Sequence, residues 1–339
     1  MLLILRSWPI FVYAITISIE SILIEPLTSS LRIPAILISA TSITLAGVLL
    51  LLTSSLLYRS IKIATAVQRT SHIFSKSKKN LLYASIALAI GIFTWYDSIS
   101  RVGASKEVLI AGPLEIILIV LLAYIFLREK LDRLQIIGIS VAIIGFFLAV
   151  ASDINYDNSQ FVLSIVTFGD IEAMISALGF AVGVLFLAKL VLIHPPIHVA
   201  GASLITAGLI LIGFLIVYIT VFGYQILNFR ELPVSIYPIV IISLLLFAWL
   251  PFIGAFSYSV GLDRLGAALT GTIGSSSIFL TLLLQIFLNQ SGILTSNLPE
   301  NIILAGLGSL IGFLGIVIIH IPKRNYETDV NKKRGDVNR

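Results

Sequence analysis

The chain has 339 residues, of which 58% are hydrophobic and 12% are charged, with a mean hydropathy of +1.06. Soluble domains carry roughly 25% charged and about 45–50% apolar residues, so this composition indicates an integral membrane protein and excludes a secreted enzyme, a nucleic-acid-binding protein and a peripheral membrane protein. There is no cysteine, which excludes disulfides, thiolate metal ligands and cysteine nucleophiles.

Hydropathy, with breaks at charges, prolines and polar clusters, predicts ten apolar spans in chain order. A membrane-crossing helix needs about 20 apolar residues, whereas the strands of a membrane barrel alternate apolar and polar residues over about ten. The spans are apolar on all sides and have helical length, so we expect an all-α membrane fold. Their approximate bounds are 8–28, 34–58, 80–100, 104–127, 133–151, 168–193, 199–222, 236–259, 266–290 and 302–321.

The positions of lysine and arginine predict how these spans are oriented. With ten spans and a cytoplasmic N-terminus, all but four of the 22 basic residues fall on the cytoplasmic side, the exceptions being Arg32, Arg101, Lys106 and Arg230. Because basic loops stay in the cytoplasm, we expect a multi-pass protein of the plasma (cytoplasmic) membrane with both termini inside. The basic loop 59–79 is expected to hold this topology and to contact anionic lipid.

A short internal repeat relates the two halves of the chain. WYDSISRVGA at 95–104 aligns with YSVGLDRLGA at 258–267, and GFFL at 145–148 aligns with GFLG at 312–315. Five spans per copy force the two copies to enter the membrane in opposite directions, which is the inverted-repeat plan of many secondary transporters. The predicted organisation is a first repeat over 1–152, an external linker over 153–167, a second repeat over 168–321 and a basic cytoplasmic tail over 322–339.

Several short motifs in the first half of the chain are typical of one family of membrane proteins. They are the Arg-Val-Gly-Ala turn at 101–104, Pro113, Glu129 in FLREKLDRLQIIG, and the glycines Gly138 and Gly145. With these motifs the chain resembles the ten-helix EamA-type transporters of the drug/metabolite transporter superfamily. It departs from that pattern at Arg128, where a glycine is usual, and at Ser276, where a proline is expected. The resemblance implies a secondary transporter that most commonly works in export.

Two acids are predicted near the middle of the bilayer. Glu20 lies twelve residues into the first span and Glu115 eleven residues into the fourth, which places both about 16–18 Å from a membrane face. No lysine or arginine is predicted at that depth, since Lys106 is expected near the outer surface. Burying a charge in lipid costs at least about 2.5–3.5 kcal/mol. Each acid therefore either exchanges a proton for an amine-bearing substrate or is a protonated carboxyl that only joins helices.

Other residues complete the candidate site, each with a structural alternative. Aromatic side chains either line a substrate cavity or anchor helices at the interface, and prolines act as hinges or as static kinks. The aromatic candidates are Trp95, Tyr96, Trp249 and Tyr258, the prolines are Pro113 and Pro251, and Ser276 adds a polar group. The acids Glu25, Asp97, Glu107, Asp170 and Glu172 are expected near the outer face, solvated by water and headgroups. Small residues at positions 179, 183, 306, 308, 312 and 315 are expected to let helices pack closely.

These observations predict a secondary transporter that moves a small organic metabolite, an amine or an amino acid, by alternating access and with proton coupling. The resemblance implies that the direction is export. The expected partners are the substrate, protons and the lipid bilayer, and a homodimer stays open. No cofactor, nucleic-acid partner or enzymatic activity is expected. A metal site is not expected either, because His194 and His198 have the spacing of a metal pair but no accompanying acid. The alternatives are a membrane-embedded lipid-modifying enzyme and a non-transporting membrane protein.

Overall fold

A computed structural model describes residues 2–59, 77–127, 132–152, 167–191, 193–222, 237–293 and 297–319. The predictions for most of the basic loop 59–79, for Arg128 and Glu129, for nearly all of the linker 153–167 and for the tail 322–339 lie outside the described residues. Within these ranges the chain is helical and contains no strand.

Eleven helices are assigned in the described residues. Nine apolar stretches are long enough to cross a membrane, and the shorter apolar helix Ser277–Gln290 accounts for most of the remaining predicted span. This confirms the predicted all-α membrane fold. The helices are α1 (Leu2–Ser29), α2 (Ala35–Arg59), α3 (Lys78–Val102), α4 (Ala104–Leu127), α5 (Arg133–Ala151), α6 (Phe168–Val191), α7 (Pro196–Phe222), α8 (Tyr237–Phe247), α9 (Trp249–Gly274), α10 (Ser277–Gln290) and α11 (Ile302–Ile319).

The eighth predicted span is interrupted shortly before Pro251. Helix α8 ends at Phe247, and α9 begins at Trp249. A proline has no backbone N–H, and its ring conflicts with the carbonyl four residues earlier, which here belongs to Phe247. The interruption therefore lies where Pro251 requires it, and a hinge at this position stays a prediction.

Helix α9 is not straight, although it is assigned as one helix. A Cβ atom built on Gly261 would lie 3.4 Å from Cγ2 of Thr270. Nine residues of straight helix would separate these positions by about 13 Å along the axis, so the chain turns back between them. Gly261 lies just after the end of the predicted eighth span, and Thr270 lies within the predicted ninth span.

The packing of the helices is similar in the two halves of the chain. The most extensive contacts join α3 to α6, α1 to α9, α2 to α7 and α5 to α11. The five spans of the second half can be matched in order to the five spans of the first. Under this matching the α3–α6 contact corresponds to the α1–α9 contact, and the α2–α7 and α5–α11 contacts each correspond to themselves. An inverted repeat requires this pattern, and the repeat itself stays a prediction.

Glycines allow close contact between α5 and α11. A Cβ on Gly138 would lie 2.7 Å from the carbonyl oxygen of Gly315, and a Cβ on Gly145 would collide with the backbone of Gly312. Likewise, a Cβ on Gly179 would lie 2.7 Å from the backbone of Gly91, which joins α6 to α3. Close packing was also expected at Gly306, and this expectation is wrong, because no atom lies within 4 Å of a Cβ built there.

Candidate functional site

A buried hydrogen bond between an acid and a tyrosine lies in the centre of the bundle, where α1 contacts α3, α4, α9 and α10. Glu20 is 1% exposed, and its Oε1 accepts a hydrogen bond of 2.6 Å from the Tyr96 hydroxyl. Its Oε2 is buried with no hydrogen-bond partner among the described residues. Because an unsatisfied buried carboxylate oxygen is costly, this position favours a proton or a ligand that donates a hydrogen bond.

Glu115 lies at the midpoint of α4, eleven residues after Ala104 and twelve before Leu127, about 17 Å from either end. Its side chain is partly accessible and makes no hydrogen bond or ion pair with the described residues. Tyr13 of α1 is close enough to interact electrostatically with both Glu20 and Glu115. The structure therefore places the two predicted mid-membrane acids around one region of the bundle.

Three of the four predicted aromatic residues lie at this region. The Tyr13 and Tyr258 rings are 5.0 Å apart, and Tyr258 interacts electrostatically with Glu115. Trp95 is buried, with its ring 5.1 Å from that of Tyr96. Trp249, by contrast, is 50% exposed on the outer surface of the bundle.

A helix break lies beside the acid of α1. Helix α9 ends at Gly274 and α10 begins at Ser277, and the Ser18 hydroxyl donates a 3.2 Å hydrogen bond to the Ser277 carbonyl. Ser276, in this turn, has a buried hydroxyl without a partner among the described residues. Discontinuous helices supply polar backbone groups for substrate sites in many transporters. The sequence singled out Ser276, but it did not predict the break.

Pro113, the other predicted hinge, is buried within α4, which is assigned without interruption. Its ring lies 3.1 Å from a Cβ atom built on Gly312. Pro113 therefore packs against α11 at the small-residue surface described above, and its hinge role stays a prediction.

A third acid, Glu107, belongs to this part of the bundle. It is buried, lies within hydrogen-bonding reach of Trp95, and interacts electrostatically with Glu115. One of its oxygens, Oε1, has no hydrogen-bond partner among the described residues. Sequence reasoning assigned it to the solvated interface, although its place two turns before Glu115 on the same helix was a usable signal.

The expected solvation of the outer acids is wrong for Glu25, Glu107, Asp170 and Glu172, all of which are buried. Lys106, expected near the outer surface, is buried too: its Nζ lies 2.9 Å from Oδ1 of Asp170, with the two side chains 4% and 0% exposed. Because α4 packs against α6, Lys106 and Asp170 neutralise each other inside the bundle instead of being solvated by water.

A polar network closes the end of the bundle where α3 ends and α4 begins, which we call the Gly103 end. Gln285 of α10 donates to Oε2 of Glu25 at 3.1 Å and accepts from the Ser105 N–H at 2.8 Å. The Asn297 N–H donates to Oε1 of Glu25. Gly103 has φ of +87°, and a Cβ there would lie 2.5 Å from the Asn297 carbonyl oxygen, so this close approach requires glycine. Three helices and a loop are thus joined at this end.

Of the two histidines with the spacing of a metal pair, His198 makes a hydrogen bond to another helix. Nδ1 of His198 and the Ser54 hydroxyl are hydrogen-bonded at 2.8 Å. Among the residues described, no group of three or more His, Asp or Glu side chains is arranged to hold a metal ion.

The fold and these buried acids define a multi-pass helical membrane protein with a polar centre. Residues 8–151 match the profile of the EamA-like transporter family. The matched range includes Glu20, Trp95, Tyr96 and Glu115. No curated protein sequence shows a significant match to the chain. A solved crystal structure superposes with a TM-score of 0.59 at 16% sequence identity, covering 93% of this chain and 97% of that one, and shows the shared fold.

Proposed function

We propose that the chain is a secondary transporter of the drug/metabolite transporter superfamily, which exports a small organic metabolite with an amine group, such as an amine or an amino acid, in exchange for protons. The observation that carries this proposal is the pair of mid-membrane acids near the rings of Tyr13, Tyr96 and Tyr258. Glu20 has one buried oxygen without a partner among the described residues, and Glu115 makes no hydrogen bond or ion pair with them. Aromatic faces and carboxylates together suit an ammonium group.

The exchange follows from the cost of charge in this environment. An empty, ionised carboxylate in the bundle centre is costly, whereas a protonated carboxyl or one paired with a substrate ammonium is neutral overall. Only in these two neutral states does the protein switch the site from one face of the membrane to the other. Movement of the substrate in one direction therefore requires movement of a proton in the other.

Access to the site alternates between the two ends of the bundle in this proposal. The network of Glu25, Ser105, Gln285 and Asn297 closes the Gly103 end, and its release opens a path to the centre. We place this end at the outer face of the plasma membrane, with both termini in the cytoplasm, because this orientation leaves all but four of the 22 basic residues inside.

Transport into proteoliposomes across a panel of amines and amino acids, with and without a pH gradient, tests the proposal. We expect a gradient-driven flux for at least one amine. Glu115→Gln and Glu20→Gln keep the shape of the side chain but fix the neutral state, so each is expected to insert and fold and to lose gradient-driven flux. Asp263→Asn, at an exposed acid of α9, is the matched control and should transport normally. An unchanged pH dependence in both glutamine variants would leave the two acids structural.

A further inference from the structure

A groove opens on the outer surface of the bundle at the Gly103 end, between α2, α3, α6 and α7. It has a volume of about 490 Å³, within the roughly 300–1,000 Å³ typical of ligand sites. Ile90 and Phe214 on its walls are 43% and 57% exposed, so the groove is open to the surrounding lipid. It does not include Glu20 or Glu115.

The apolar part of the groove has the depth of one leaflet. Ile90 lies twelve residues before the end of α3, and Leu211 lies eleven residues before the end of α7. At 1.5 Å per residue these positions are about 17–18 Å from the helix ends, whereas one leaflet of the hydrocarbon core is about 15 Å thick. Ile36 and Phe93 also line the groove. Its length and lining therefore fit an acyl chain that lies along the helices.

The charged groups that line the groove all lie at the part nearest to the Gly103 end. Arg101 is one residue from the end of α3, Asp97 is one turn deeper, and Glu172 is in the second turn of α6. Nη2 of Arg101 donates to Asp97 at 2.8 Å, and Nε lies 3.0 Å from Glu172, while the guanidinium stands 5.1 Å from the centre of the Phe168 ring. The Arg101 side chain is still 49% exposed, so its other donors are accessible.

The charge of this cluster favours one kind of headgroup. One guanidinium beside two carboxyl groups leaves no excess positive charge in either protonation state of the buried Glu172, so the cluster does not favour a purely anionic headgroup. A primary ammonium donates hydrogen bonds to carboxylate oxygens, which a quaternary ammonium cannot do, and a phosphate accepts from arginine. We propose that the groove binds a phospholipid with a zwitterionic, primary-ammonium headgroup, phosphatidylethanolamine, whose ammonium contacts Asp97 and Glu172 and whose phosphate contacts Arg101. This proposal does not depend on the transport activity.

Native mass spectrometry of the purified full chain, incubated with phosphatidylethanolamine, phosphatidylcholine or phosphatidylglycerol, tests this assignment. We expect retention of phosphatidylethanolamine about tenfold above that of the other two lipids. A tenfold ratio corresponds to about 1.4 kcal/mol, close to the contribution of one charge-assisted hydrogen bond. Asp97→Asn should bring this ratio to about threefold or less. Ile90→Trp fills the groove from an exposed position, so the fold should tolerate it, and it should abolish retention. Ile144→Trp, 55% exposed on α5 and outside the groove, should retain the lipid as the wild type does.

Each contrary result overturns the proposal. Equal retention of the three lipids by the wild type would remove the headgroup assignment, and unchanged retention in Ile90→Trp would remove the groove. If Ile90→Trp instead converts a dimer to a monomer and the wild type retains no lipid, the surface joins two copies of the chain.

Discussion

Replacing Lys106 with methionine removes the cation from a buried ion pair and leaves Asp170 charged and unpaired. The pair has an Nζ–Oδ1 distance of 2.9 Å, and both side chains are almost fully buried. Breaking such a pair by removing one partner costs about 3–5 kcal/mol, mostly because the other charge stays buried. We therefore expect Lys106→Met to lower the free energy of unfolding by about that amount.

A change at Asp170, the other residue of the ion pair, is expected to restore part of the stability lost in Lys106→Met. Oδ2 of Asp170 accepts the Thr167 N–H at 2.7 Å at the start of α6, and asparagine keeps an acceptor for this bond while removing the charge. The double variant Lys106→Met/Asp170→Asn is therefore expected to be more stable than Lys106→Met alone, by about 2 kcal/mol or more. Equilibrium unfolding in mixed micelles, on both single variants and the double, measures this coupling. If the losses of the single variants simply add in the double, the two residues do not interact and the reasoning fails.

Three further predictions concern the hydrogen bond at Glu20, the α5–α11 contact and the topology. Tyr96→Phe removes the hydroxyl that contacts Glu20 and should destabilise the protein by about 1–3 kcal/mol in the same unfolding assay. Tyr83→Phe, at an exposed position of the same helix, should have no effect. Equal losses of stability in the two variants would refute the prediction. Gly145→Ala should lower the melting temperature, because its Cβ collides with Gly312, and Gly306→Ala, with open space around it, should not; the reverse order would contradict the packing. Single cysteines at Ser77, Asn158, Asn297 and Thr328 should react with an impermeant thiol reagent from outside only at 158 and 297, and labelling at 77 or 328 would exclude the ten-span orientation.

The membrane-crossing segments could be predicted because such a segment needs a fixed length of apolar sequence, whereas the helix breaks before Pro251 and at Ser276 could not be read from hydropathy. The depth of Glu20 and Glu115 followed from counting residues along a helix. Both predictions depend only on local sequence and on the thickness of the bilayer, so they require no knowledge of which helices are neighbours.

The direction in which each side chain points could not be predicted in the same way. Trp95 and Trp249 both lie in helices apolar enough to cross a membrane, yet Trp95 is buried beside Tyr96 and Trp249 is exposed. Lipid and the protein interior are similarly apolar, so hydrophobicity does not distinguish the two faces of such a helix. The burial of Lys106 was missed for a related reason, because its partner Asp170 is remote in sequence and is brought close only by the packing of α4 against α6.

The central claim is that Glu20 and Glu115 exchange protons for an amine-bearing substrate, and the most direct measurement is the internal pH of proteoliposomes that contain a pH-sensitive dye. Addition of a transported amine outside, without an imposed gradient, should change the internal pH for the wild type and for Asp263→Asn, and should leave it constant for Glu115→Gln and Glu20→Gln. A wild-type protein that accumulates the labelled amine while the internal pH stays constant would contradict proton exchange at this site.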